Sequence, residues 1–140
     1  MKTLVPTDGS ETSLRAVDHV INKSQRDALE LHLINVQPPL PYAGRAASAV
    51  GHSNIEDYHR EEGLKCLEPA ERTLDAAGIR YHYHVAVGDA GEVIAKYARE
   101  HGIDQIVMGT HGRGAVASVL MGSVAKEVLE KASVPVVLVK

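Results

Sequence analysis

The chain has 140 residues, 44% of them hydrophobic, with 15 basic against 18 acidic side chains and a formal net charge of −3. That length suits one domain, 1–140, with a real core, and the scattered Lys and Arg argue against a nucleic-acid surface or an anionic-membrane anchor. No apolar run nears the ~20 residues of a membrane span, the N-terminal apolar run is too short for a signal peptide, and a single cysteine, Cys66, excludes a disulfide framework; the expected setting is the reducing cytoplasm.

With no Phe and no Trp, the core must be filled by Val, Ile, Leu and Ala, which suits a parallel α/β sheet. Residues 2–7 (KTLVPT) form a first strand, and Pro6 fits its end because it cannot donate to a ladder. Asp8-Gly9-Ser10 is turn chemistry, with Ser10 a candidate N-cap. Leu14, Val17 and Ile21 then recur at helical spacing, so a helix covers roughly residues 11–25. Residues 29–36 (LELHLINV) are the second strand. A loop rich in Pro and Gly follows over 37–53, which serves either as a lid or as a plain surface excursion.

Residues 54–78 are helical, with Leu67, Ala70, Leu74 and Ala77 on one face and Gly78 closing the helix. Pro69 removes a donor inside it, so the helix either kinks there or is best formed from Glu68 onward. Residues 79–87 (IRYHYHVAV) alternate, with Arg80, His82 and His84 opposite Ile79, Tyr81, Tyr83, Val85 and Val87, the pattern of a half-exposed edge strand. Asp89-x-x-Glu92 is a capping-box pattern ahead of a third helix that ends near Gly102. Residues 104–108 are a fourth strand, 123–132 a last helix, and Val134–Val139 a fifth strand.

Strands alternating with helices predict a doubly wound parallel sheet with helices on both faces. With the third strand at an edge the expected order is 3-2-1-4-5, a doubly wound arrangement that the family resemblance named below also implies; it puts a switch point between strands 1 and 4, where such sheets bind ligands. Asp8 ends strand 1, and Gly109 ends strand 4.

The stretch 109–123, GTHGRGAVASVLMGS, holds Gly109 and Gly112 three apart, nine further residues, then Gly122-Ser123. A strand feeding a glycine-rich loop and then a helix start can cradle phosphate: the backbone bends and approaches closely, and unpaired N–H groups face the anion. The same residues also fit a flexible connection in which Ser123 is an ordinary N-cap.

This spacing resembles the ATP-binding signature of the universal stress protein family, Gly-x2-Gly-x9-Gly-[Ser/Thr], complete at its four defined positions. LVPTDGSE at 4–11 and SVPVVLVK at 133–140 are similar to the family's first and last strands; 37–55 matches least. The resemblance implies ATP, with Mg2+ on its phosphates, in the crevice between strands 1 and 4. It implies that Asp8 meets the adenine or ribose and that Val36 contacts adenine through its backbone. Pro6, Thr7 and Met108 would line the base and ribose side. Gly109, Gly112, Gly122 and Ser123 would hold the phosphates. Arg113 would pair with a terminal phosphate, His111 would lie in the same loop, and Val124 would offer its backbone N–H. Each has a plainer reading: an Asx turn for Asp8, core packing for Val36 and Met108, solvated loop side chains for His111 and Arg113.

No catalytic residue emerges. There is no Gly-Lys-[Ser/Thr] after the glycines, no Gly-x-Ser-x-Gly elbow and no dinucleotide turn after strand 1. The chain is therefore expected to be an ATP-dependent stress-response regulator or sensor acting on a protein partner of unknown identity. Its alternatives are a slow nucleotide hydrolase or phosphotransferase, and a partner-binding module with an empty crevice. No metal site of the protein's own is expected, because no carboxylate or Cys at site-like spacing completes His32, His82 and His84. Strand 5 is apolar on both faces yet lies at a sheet edge, which would template uncontrolled pairing. Pairing of Val134–Val139 with a twofold mate would close a homodimer, as the resemblance also implies.

Overall fold

The computed structural model describes residues 1–40, 52–111 and 121–140. Its elements run β1 (Lys2–Pro6), α1 (Glu11–Ser24), β2 (Glu30–Gln37), α2 (His52–Ala76), β3 (Tyr81–Val87), α3 (Ala90–Glu100), β4 (Gln105–Gly109), α4 (Ser123–Lys131) and β5 (Val136–Val139). Local chemistry sets several of the boundaries. Ser10, in extended conformation, caps α1 by accepting from the Ser13 N–H. Asp89 caps α3 by accepting from the Glu92 N–H, as the capping-box pattern predicts. At the end of α2 the Ile79 N–H returns to the Leu74 carbonyl across Gly78.

The five strands form one parallel sheet in the expected order β3-β2-β1-β4-β5. Strand alternation then divides the core into two layers. Val5, Leu31, Leu33 and Val107 face α1 and α2, meeting Val17, Val20, Leu67 and Leu74. Leu4, Ile34, Ile106 and Met108 face α3 and α4, meeting Ile94, Tyr97, Ala125 and Val128. Each fully buried Leu, Ile or Val among these stabilises the fold by about 1.5–3 kcal/mol relative to exposure. The central strands are apolar on both faces because helices cover both.

Three expectations change in detail. Helix α2 is one element from His52 with Pro69 inside it, so it does not begin near Glu68. The apolar face ends one turn early, since Ala77 lies beyond the helix and is exposed. The alternation in β3 orients its side chains, with Tyr81 and Val85 packed on the α1/α2 layer, but Tyr83 and Val87 stay about half exposed because β3 is the edge strand of the sheet among the described residues. The loop expected over 37–53 falls largely in 41–51, outside the described residues. No described helix is long and apolar enough to cross a membrane.

Candidate functional site

The loop from β1 to α1 is held by side chains turned back on their own backbone. Asp8 Oδ1 accepts from the Ser10 N–H at 2.9 Å, an Asx turn. Gly9 sits at φ 84°, a conformation that favours glycine, which lets the chain reverse there. Thr7 is buried, and its hydroxyl shares a hydrogen bond with Ser13 Oγ at 3.0 Å. The Thr7 carbonyl accepts from Asn35 Nδ2 at 2.8 Å, and the Thr7 N–H donates to the Ile34 carbonyl. Asn35, 2% exposed, therefore ties the end of β1 to β2. Sequence reasoning missed it; the signal was a lone amide in an otherwise apolar strand run.

The end of β4 comes up against this loop. Gly109 is buried, and a Cβ built on it would lie 2.6 Å from Thr12 Cγ2 and 3.0 Å from the Thr12 backbone. It is glycine because the first turn of α1 packs on the end of β4. The Gly122 N–H donates to the Thr110 carbonyl, and the Thr110 N–H donates to the Val139 carbonyl at 3.0 Å, so the start of α4 is moored to the ends of β4 and β5. Thr110 Oγ1 and His111 Nδ1 are 3.0 Å apart.

Helix α4 begins with an exposed polar face. Its N-cap is Gly122, not Ser123, and no side chain among the described residues caps its first N–H groups. Gly122 has φ −73°, ordinary extended backbone, and neither it nor Gly109 is among the glycines at positive φ. What Gly109 supplies is space for Thr12, not an unusual bend. Ser123 and Val124 are exposed in the first helical turn. An uncapped helix start carries unpaired donors and the positive end of the helix dipole, which together attract an anion.

The remaining expected site residues divide as follows. Pro6 is half-buried at the end of β1, and Val36 is half-buried and packed on the α3/α4 layer. Met108 is 5% exposed within that same layer, so its side chain belongs to the core. Gly112 and Arg113 lie outside the described residues.

A second polar cluster lies at the opposite, amino ends of the strands. Glu30 and His32 are two apart on β2, and the parallel register sets His82 of β3 beside His32. Glu30 Oε2 is 3.4 Å from His32 Nε2, and Glu30 Oε1 is 3.7 Å from His82 Nε2. Lys2 Nζ also approaches Glu30 Oε2 at 3.7 Å. Contact with the His32 imidazole, and then the Lys2 charge, hold the Glu30 carboxyl below the usual range for its type. Burial pushes the His32 imidazole down, against the pull of Glu30. The carboxylate that no spacing rule supplied is thus Glu30. The signal for it was Glu-x-His on one strand, readable only once β2 and β3 are known to pair.

The universal stress protein family model matches residues 1–140. Universal stress protein MJ0531 of Methanocaldococcus jannaschii is 33% identical over 139 residues, covering 99% of this chain and 81% of that protein. Universal stress protein MJ0577 of the same organism is 32% identical over 152 residues, covering 99% of this chain and 94% of its own length. The solved structure of MJ0577 superposes with a TM-score of 0.83 over 99% of this chain and 94% of that one, at 31% identity. A universal stress protein solved in complex with cAMP superposes with a TM-score of 0.71 at 27% identity, over 100% and 97% of the two chains. With the sheet order, the β1–α1 loop and the end-to-end match together, the chain belongs to the universal stress protein family.

Proposed function

We propose that this protein binds ATP in the crevice between the ends of β1 and β4 and acts as a nucleotide-dependent regulator of a stress response. The observation that carries the reading is the uncapped start of α4 at Gly122, moored beside the Asp8 loop by Thr110 and by the contact of Gly109 with Thr12. Unpaired helix N–H groups fit phosphate, and a carboxylate across from them fits the adenine amine or the ribose hydroxyls. The relative solved with cAMP supports a nucleotide of adenine type.

On this reading the backbone of Gly122, Ser123 and Val124 holds phosphate oxygens, the Ser123 hydroxyl adds a donor, and Asp8, Pro6 and Val36 meet the nucleoside. Gly112, Arg113 and His111 belong to the same loop. Mg2+ on the phosphates would offset their charge. None of the described crevice residues is a lysine, which favours binding and signalling over phosphoryl transfer.

The test is mass spectrometry of small molecules released on denaturing the purified protein, together with ATP titration. ATP bound at one equivalent is expected. A protein that carries no nucleotide and binds none at millimolar ATP overturns the reading, and ADP release on incubation would move it to a hydrolase.

The proposal includes a homodimer. β5 is an edge strand whose four residues are all half-buried apolar side chains, and among the described residues one of its backbone edges pairs with no other strand. Sedimentation at micromolar concentration should give a dimer that deletion of residues 136–140 dissociates.

A further inference from the structure

We propose that Glu30, His32 and His82 form a binding site for a divalent transition-metal ion of the zinc class, at the end of the sheet opposite the crevice. Their ligand atoms all lie within 4.8 Å of one another. Two histidines and one carboxylate are a donor set of a three-ligand zinc site, with water in the fourth position. Ligand bonds of about 2.0–2.1 Å place tetrahedral donors about 3.3 Å apart. Glu30 Oε2 is 3.4 Å from His32 Nε2 and Glu30 Oε1 is 3.7 Å from His82 Nε2, so the carboxylate lies near that spacing from both rings and has to turn to present one oxygen to a shared ion. The His82 side chain is 65% exposed and the Glu30 side chain 44%, so a rotamer adjustment can close the rest without moving the backbone.

His32 supplies the independent observation. It is 8% exposed, and its Nε2 is buried with no aligned hydrogen-bond partner among the described residues; the Glu30 approach at 3.4 Å is a contact without that alignment. A buried polar atom left so is costly unless something meets it. Its other nitrogen is engaged, since Nδ1 lies 2.9 Å from the Tyr97 hydroxyl. With Nδ1–H donating to that oxygen, Nε2 carries the lone pair and points at Glu30, the outer-sphere arrangement that orients metal-bound histidine. Tyr97 is itself held by stacking on His101, with ring centroids 3.8 Å apart. The ring of α3 therefore fixes His32, and the parallel register of β2 and β3 brings His82 to it.

A metal here would tie the edge strand β3 to β2. The site is about 13 Å from the crevice end of β2, counting four residues of strand from His32 to Val36. It does not depend on the nucleotide reading. The plainer alternative is that Lys2 and two histidines merely neutralise Glu30 at a solvated edge.

The experiment is zinc titration of the untagged, nucleotide-free protein against a chromophoric chelator, with Co2+ absorbance reporting the ligand geometry. Wild type should take one equivalent at micromolar zinc and give the intense visible bands of four-coordinate cobalt. Tyr97→Phe should weaken zinc by about 10- to 100-fold, as loss of an outer-sphere partner does, and His82→Ala by at least as much. His84→Ala, on the same strand and outside the ligand set, should bind as wild type. No uptake by wild type at micromolar zinc overturns the proposal. So does His82→Ala binding as tightly as wild type, or His84→Ala losing as much as His82→Ala.

Discussion

At the carboxyl ends of β1 and β4 the polar groups on offer belong largely to the backbone: the first N–H groups of α4, entered at Gly122, with glycine at Gly109 where α1 comes close. At the amino ends of β2 and β3 they belong to side chains, Glu30, His32 and His82, set side by side by strand register. The same sheet makes both sites. In a parallel sheet every helix start lies near the carboxyl ends of the strands, so anion-binding donors collect there, and the amino ends receive helix ends instead. A site at the amino end has to be built from titratable side chains, and a site at the carboxyl end needs few of them.

The sharpest way to break the contrast is to give the carboxyl end a side-chain charge. Gly122 has the extended conformation of an N-cap, so Gly122→Asp can cap α4. Calorimetric titration should then find no ATP binding, while the melting point holds or rises slightly, since Asp over Gly at an N-cap gains only a few tenths of a kcal/mol. Retained ATP affinity in a capped helix would remove the phosphate assignment. Gly122→Val should also lose ATP, by filling the space beside the helix start.

Next in size is Asp8. Asp8→Ala should weaken ATP by about 1.5–3 kcal/mol, a hydrogen bond to a charged group, or roughly 10- to 150-fold. Asp8→Asn separates its two roles, because the amide oxygen can still accept from the Ser10 N–H. If the Asp8→Asn variant binds ATP as wild type does, Asp8 is a turn residue and not a ligand.

Gly109→Val tests whether close packing forms the crevice floor. The added carbons meet Thr12, including its backbone, and should cost about 1–3 kcal/mol as overpacking does. A urea midpoint unchanged by this substitution would contradict the contact. Ser10→Ala removes the α1 cap and should cost about 1 kcal/mol in the same assay. At the other end, His82→Ala should change the stability of the metal-free protein by less than about 0.5 kcal/mol, being exposed. A larger loss would mean that this histidine supports the strand itself.

Local chemistry written in consecutive residues was legible before any fold was known. The caps at Ser10 and Asp89, the Gly78 stop and the alternation of strands with helices depend on neighbours a few residues apart. The sheet order followed from the edge character of residues 79–87 combined with the family resemblance. Boundaries were less legible: β5 begins at Val136 and not Val134, because Pro135 has no N–H for the ladder while its carbonyl still accepts from the Ile106 N–H.

Tertiary structure decided what spacing could not carry. Ser123 looked like a cap, but the chain enters α4 one residue earlier, at Gly122, and no side chain among the described residues caps the helix start. Met108 looked able to line a ligand, but strand alternation turns it into the α3/α4 layer. The signals at Asn35 and Glu30 could not be interpreted locally, since the partner of Asn35, Thr7, is 28 residues away and the ligand set of Glu30 needs His82 from another strand. The caps of Ser10 on the Ser13 N–H and of Asp89 on the Glu92 N–H are contacts within one turn of chain, and so the sequence by itself determined them. A ligand set drawn from two strands exists only after β2 and β3 pair in register, and long-range pairing is a property of the folded sheet.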